Sequence, residues 1–232
     1  MAFATSCLAG TLGLGGGVLL LAAMPGLVPP SAILPVHAVA QLGSNSSRAA
    51  FGWRHIDWQM LPPLLAGAAV GAAMGGAIYQ GIDLRWLPGV IGVFILILTW
   101  WPPPQVGGGG RWSLFLLGGY QTGLGMIAGA TGPLGAAVLM RRNRDRDWLV
   151  INTAVYMTVN HLVRVAAFAV LGFAFSEWLA LLVALLLAVT AGSWLGSRLR
   201  ARLPQRNFQR WFRWLVTALA LRMIVHSVIA VI

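Results

Sequence analysis

Two otherwise apolar stretches of this chain carry polar side chains at helical spacing. His37, Gln41, Ser44 or Asn45, and Arg48 fall at i, i+4, i+7 or i+8, and i+11, which places them on one helix face. Thr153, Tyr156, Asn160 and Arg164 form a second such stripe, with His161 beside them. A charged group at bilayer depth costs at least about 2.5–3.5 kcal/mol, so it faces protein or water rather than lipid. Arginine offers a fixed fork of donors, while amides and imidazoles add neutral ones. The chemistry these residues suit together is the binding of an anion with several oxygens. Simpler roles exist for the same residues. Arg48 stands a few residues before a loop and could snorkel to the interface, and Arg164 lies nearer the middle of its segment. His37 and His161 are either helix-packing hydrogen bonders or groups with a ligand or proton role.

Each stripe is preceded by a helix-breaking run, Gly13-Leu14-Gly15-Gly16-Gly17 in one case and Gly129-Ala130-Thr131-Gly132-Pro133 in the other. Unwound backbone at membrane depth is tolerated only where protein buries it or where it lines a watery cavity. A half-helix that starts there aims its free N–H groups and positive dipole end at that cavity, which favours an anion. Gly15, Gly16, Gly17, Thr131 and Gly132 therefore join His37, Gln41, Asn45, Arg48, Asn160, His161 and Arg164 as candidate substrate-binding residues. Close helix packing or a simple kink is the alternative for the glycines. A phosphate-binding P-loop is excluded, because no Lys-Ser/Thr follows.

These features repeat at a fixed distance. Gly13 maps to Gly129, Ser44 to Asn160, and Arg48 to Arg164 (164 − 48 = 116), and 116 is half of the 232-residue length. Two copies with matching breaks and matching intramembrane polar residues describe a transporter whose site lies between its halves.

The elements that must position these residues are apolar helices. Eight segments are expected, at about 4–27, 31–51, 60–79, 86–101, 112–140, 148–175, 178–195 and 214–232. Residues 1–104 form the first transmembrane repeat, 105–111 a linker, and 112–232 the second repeat. The fold class is all-α: a polytopic membrane protein of two homologous four-segment repeats with glycine-broken helices. Gly67, Gly71 and Gly75 recur every fourth residue, so they share one face and admit a close neighbour. The arginines at 141–146 and 198–213 mark one side of the membrane as cytoplasmic, with Glu177 on the other. In the first half the arginines follow the second segment instead of preceding it, the opposite charge pattern, as an inverted repeat would have. Four simple crossings per half give parallel repeats instead. The two patterns agree only if each broken segment is a pair of short helices that reverses at its glycines.

Composition narrows the function. With 58% hydrophobic and 9% charged residues, the chain is not a soluble globular protein. Its net charge of +11 comes entirely from arginine, mostly in short loops between apolar runs, which speaks for membrane orientation and not for nucleic acid. The N-terminus lacks the basic region of a cleaved signal peptide. Cys7 is the only cysteine, so an internal disulfide, a cysteine metal site and a dithiol electron carrier are excluded. All five acids, Asp57, Asp83, Asp145, Asp147 and Glu177, fall in or beside loops. Proton- or sodium-coupled carriers usually need an intramembrane carboxylate, so any proton coupling here would fall to His37 or His161. An inside-negative potential drives an anion outward at about 2.3 kcal/mol per 100 mV, and export needs no coupling ion.

The chain resembles the TauE/SafE family of sulfite and organosulfonate exporters over essentially its whole length. The residues that carry the likeness are Gly13–Gly17 with Pro25, Asn45-Ser-Ser-Arg48-Ala-Ala-Phe51 leading to His55-Ile-Asp57-Trp58, and the glycines at 67, 71 and 75. Gly129-Ala-Thr-Gly-Pro133 followed by Asn160-His161-Leu-Val-Arg164 completes the set. Thr131 and Pro133 depart from the fuller glycine run common in the family. The resemblance implies a multi-pass permease of the bacterial inner (plasma) membrane for small sulfur-containing anions such as sulfite or sulfonates. The leading expectation is outward movement of such an anion by alternating access, with the lipid bilayer as surroundings, no enzymatic activity, no cofactor and no metal. Nucleic acid is not an expected partner, and a homodimer is left open. The runner-up is a non-transporting membrane subunit that stabilises a partner complex. An intramembrane enzyme ranks third, since the sequence offers no Ser/His pair, paired carboxylates or metal-ligand spacing.

Overall fold

The structure, a computed structural model, describes residues 1–12, 16–101, 110–129, 133–143, 145–199 and 208–229. Among these it is helical throughout, with ten α-helices and no strand. The first expected segment is split into α1 (Ala2–Leu12) and α2 (Gly16–Ala23), and the fifth into α6 (Arg111–Ala128) and α7 (Pro133–Arg142). The other six are α3 (Pro30–Phe51), α4 (Leu61–Gln80), α5 (Leu87–Trp100), α8 (Arg146–Val170), α9 (Leu179–Leu199) and α10 (Phe208–Ile229). Three stretches, Trp58–Gln80, Asp147–Val170 and Phe175–Leu199, are long and apolar enough to cross a membrane, and Leu87–Trp100 is a shorter apolar helix. The polar stripe of α3 and the arginines of α10 lower the apolar content of those helices.

Both breaks reverse the chain. Gly16 sits against Thr5 and Ala9, while Leu20 shares an apolar cluster with Ala2, so α2 runs back along α1. Val138 and Leu139 of α7 pack in one cluster with Leu114 and Leu117 of α6, so that pair is a hairpin too.

The direction of the remaining helices follows from their contacts. The last residues of α3 meet the start of α8, where Ala49 clusters with Ile151, Ala154 and Val155. At the other end Ile33 and Leu34 share a core with Phe168, so α3 and α8 are antiparallel. Trp100 stacks edge-on against Trp214, and Ser227 bonds the Arg85 carbonyl, so α5 and α10 are antiparallel as well. In contrast α4 runs parallel to α6, and α1 parallel to α9. These last two pairs are backbone-to-backbone contacts. A Cβ placed on Gly67, Gly71 or Gly75 would lie 1.9, 2.0 or 2.5 Å from the carbonyl oxygen of Phe115, Gly119 or Gly123. Gly192 and Gly196 approach Phe3 and Cys7 of α1 in the same way, at 2.3 and 2.2 Å. Only glycine lets helices come this near, and the contact area it opens is what holds them in lipid.

With these directions the connections bearing Arg54, Arg111, Arg141, Arg142 and Arg198 gather at one face of the bundle. Asp83, Arg85 and Glu177 lie at the other. Two loop assignments shift. The arginine-rich stretch ending at Arg213 is helical from Phe208, and α8 begins at Arg146 because Asp145 caps it, accepting from the Trp148 N–H at 2.7 Å.

The connection from α3 to α4 is fastened to the second half of the chain. Asn152 accepts from the Asp57 N–H at 2.8 Å and donates to the His55 carbonyl at 2.8 Å, and Arg142 pairs with the Asp57 carboxylate at 2.8 Å. Replacing Asn152 with alanine leaves two partly buried backbone groups unpaired. A loss of about 1–3 kcal/mol is expected, read as a lower thermal midpoint in detergent. An unchanged midpoint would mean that the Asp57–Arg142 pair alone holds the loop.

Candidate functional site

The two polar stripes face each other where α3 and α8 cross in the middle of the bundle. The rings of His37 and His161 stand 6.0 Å apart, edge to face. Arg48 and Arg164 both lie within electrostatic reach of His161. His37, Gln41, Asn45, Arg48, Asn160, His161 and Arg164 are all buried, and Arg164, at 1% exposure, is the largest fully buried side chain. Neither arginine snorkels.

On the α3 side, Nε2 of His37 bonds the Gly17 carbonyl at 2.9 Å, and Gln41 lies directly against Gly17. Asn45 donates to the Gln41 carbonyl at 2.7 Å and accepts from Nη2 of Arg48. Nε of Arg48 donates to the Ser44 carbonyl at 3.2 Å, and Nη1 to the Ala9 carbonyl at 3.1 Å. Every guanidinium nitrogen of Arg48 therefore has an acceptor, one of them on α1.

Arg164 is held more loosely. Its Nη1 donates to the Gly129 carbonyl at 3.0 Å and to Nδ1 of His161 at 3.3 Å. Gly129 reaches that position with φ +75°, a conformation that favours glycine, and its Cα faces Leu21 and Leu34. Among the described residues, Nε and Nη2 of Arg164 have no hydrogen-bond partner, and neither does Nδ2 of Asn160 or Nε2 of His161. No carboxylate pairs with Arg164 among the described residues; Asp57 pairs with Arg142 and Asp83 with Arg85. Leaving buried donors without acceptors is costly, and leaving a charge so is costlier. An anion placed among these atoms would satisfy them.

Not every candidate sits at this crossing. Gly16 serves the α1–α2 hairpin, where its Cβ position falls 2.0 Å from the Thr5 carbonyl oxygen. Gly15, Thr131 and Gly132 lie outside the described residues. Two groups that stripe periodicity did not single out take part, together with Tyr156 of the second stripe. Thr122 donates to Asn160 at 3.0 Å, Gly125 lies 3.2 Å by its Cβ position from Arg164, and Tyr156 rests on Gly135. The internal offset could have found the first two. Ser6 bonds Ser44 at 3.1 Å just as Thr122 bonds Asn160, and both partners stand 116 apart (122 − 6; 160 − 44). The same shift takes Ala9, which accepts from Arg48, to Gly125, which Arg164 overlies.

The family model for the sulfite exporter TauE/SafE matches residues 1–223 of the 232. No curated protein and no solved structure matches the chain significantly. With buried polar stripes on facing helices and a match along nearly its whole length, the chain belongs to the sulfite exporter TauE/SafE family of polytopic, all-helical membrane proteins.

Proposed function

We propose that this protein is an exporter of a small anion, a sulfur oxyanion or organosulfonate such as sulfite, and that it binds its cargo between α3 and α8. The observation that carries this reading is the set of buried donors on Arg164, Asn160 and His161 that have no partner among the described residues, one of them a guanidinium. A neutral cargo would not offset the desolvation of that charge, whereas an oxyanion accepts from several of the donors at once. Gly17, His37, Gln41, Asn45 and Arg48 form the opposite wall, with Arg48 supplying charge from a fixed position. The glycine-broken hairpins flank the site on both sides, and Gly15, Thr131 and Gly132 are proposed as further binding residues.

Residues 1–104 and 112–232 act as two repeats inverted with respect to each other. The antiparallel α3–α8 and α5–α10 pairs and the hydrogen bonds repeated at an offset of 116 support this. Transport then proceeds by one half rocking against the other around the fixed site. The arginine-bearing face is cytoplasmic and the membrane is the bacterial inner membrane, where the potential favours outward movement of an anion.

Flux from liposomes holding the purified protein tests the reading, with sulfite, sulfate, a small sulfonate and chloride compared with and without an imposed potential. Selective, potential-driven flux of a sulfur oxyanion is expected. Folded protein that moves none of these anions would shift the weight to a non-transporting subunit.

A further inference from the structure

Among the described residues, His37 and His161 each keep one ring nitrogen without a partner, Nδ1 in the first and Nε2 in the second. The partners of the remaining nitrogens decide which neutral form each ring takes. Nε2 of His37 faces the Gly17 carbonyl, which can only accept, so Nε2 carries the hydrogen and Nδ1 is a bare lone pair. Nδ1 of His161 faces Nη1 of Arg164, which can only donate, so here Nδ1 is the acceptor and Nε2 carries the hydrogen. The two rings, 6.0 Å apart and both at least 98% buried, thus offer opposite groups to whatever lies beside them. His161 adds a donor to those of Arg164 and Asn160. His37 presents an acceptor.

An anion made only of oxygen lone pairs satisfies the donors but meets the His37 nitrogen lone pair to lone pair. An anion that also carries a hydrogen can donate to it. We propose that His37 makes the site selective for a singly protonated oxyanion, with an O–H beside its charged oxygens, over an anion of equal charge and size that has no hydrogen to give. The proposal rests on the anion-permease reading and specifies which protonation state of the cargo the site takes. A buried polar group left unpaired by the wrong ligand discriminates strongly, so a preference of about 10-fold or more is expected.

Hydrogensulfite and methanesulfonate make the comparison, because they share charge and a pyramidal SO3 group; methanesulfonate lacks the O–H and adds a methyl on sulfur, whose steric effect the His37 variants hold constant. Flux of each is measured in proteoliposomes, at a pH where hydrogensulfite predominates over sulfite, after subtracting protein-free vesicles. The intact protein should move hydrogensulfite about 10-fold faster or more. His37→Leu should bring the ratio of the two fluxes near one, with assembly of the variant checked separately by its elution as a single species in detergent. His37→Gln should keep part of the preference, since its amide can donate to Gly17 and accept with its oxygen. Equal flux of the two anions through the intact protein, or an unchanged ratio in His37→Leu, overturns the proposal and leaves the permease reading standing. Flux of neither anion through the intact protein overturns the permease reading, and the proposal with it. If His37→Leu does not assemble, the ratio in the intact protein decides.

Discussion

Arg164→Ala abolishes anion flux without removing the protein from the membrane. The side chain is fully buried, and two of its three guanidinium nitrogens have no partner among the described residues. If both donate to the cargo, each charge-assisted bond contributes about 1.5–3 kcal/mol, and their loss lowers binding by about 100-fold or more. Folding should suffer less, because Arg164 ties down only the Gly129 carbonyl and the His161 ring. Arg164→Lys keeps the charge but replaces a planar fork by a point donor, so it should restore only a small part of the flux. Arg48→Ala should behave differently, with lower stability as well as lower flux, since Arg48 bridges α3 to the Ala9 carbonyl on α1. Wild-type flux in Arg164→Ala, measured at matched membrane content, would remove the site from this crossing altogether.

Gly71→Ala and Gly67→Ala destabilise the bundle by about 1–3 kcal/mol each, read as lower thermal midpoints in detergent. The added methyl would meet the Gly119 carbonyl oxygen at 2.0 Å in one case and that of Phe115 at 1.9 Å in the other. Both obstacles are backbone, so α4 and α6 must separate and no side chain can swing aside. Gly76→Ala on the same helix is the control. Its Cβ position has only the ends of Leu171 and Met126 nearby, at 3.6 and 3.9 Å, and alanine favours helix over glycine by about 0.5–1 kcal/mol. A midpoint for Gly71→Ala equal to that of Gly76→Ala would show that the α4–α6 contact is loose. Since α6 carries Thr122 and Gly125 to the site, the Gly71 variant should also lose flux.

At the arginine-bearing face the connection from α3 to α4 is tied to α7 and α8. Asn152 and Arg142 together hold the 55–57 loop through three bonds at 2.8 Å. Any rocking of the halves that exposes the site to that face has to release these contacts.

Much of this was legible in the sequence because it depends on local spacing. His37, Gln41, Asn45 and Arg48 lie on one face of α3 for no other reason than the 3.6-residue turn, and the same holds for Asn160 and Arg164 on α8. The cost of burying arginine in an apolar segment already required that these stripes face inward. The breaks at the glycine runs, the close-packing face of α4 and membrane residence follow from residue type and spacing alike. What the sequence left open was the direction of the chain after each break, because glycine permits a kink and a reversal equally. Only the packing of α2 on α1 and of α7 on α6 fixes the hairpins, and with them the antiparallel crossing of α3 and α8. That crossing brings His37 within 6.0 Å of His161, more than a hundred residues away in the chain. Tertiary structure also separated two arginines that the sequence made equivalent. Arg48 finds acceptors in Ser44 and Asn45 of its own helix and in the Ala9 carbonyl of α1, whereas Arg164 lies over Gly125 of α6 with donors that have no partner among the described residues.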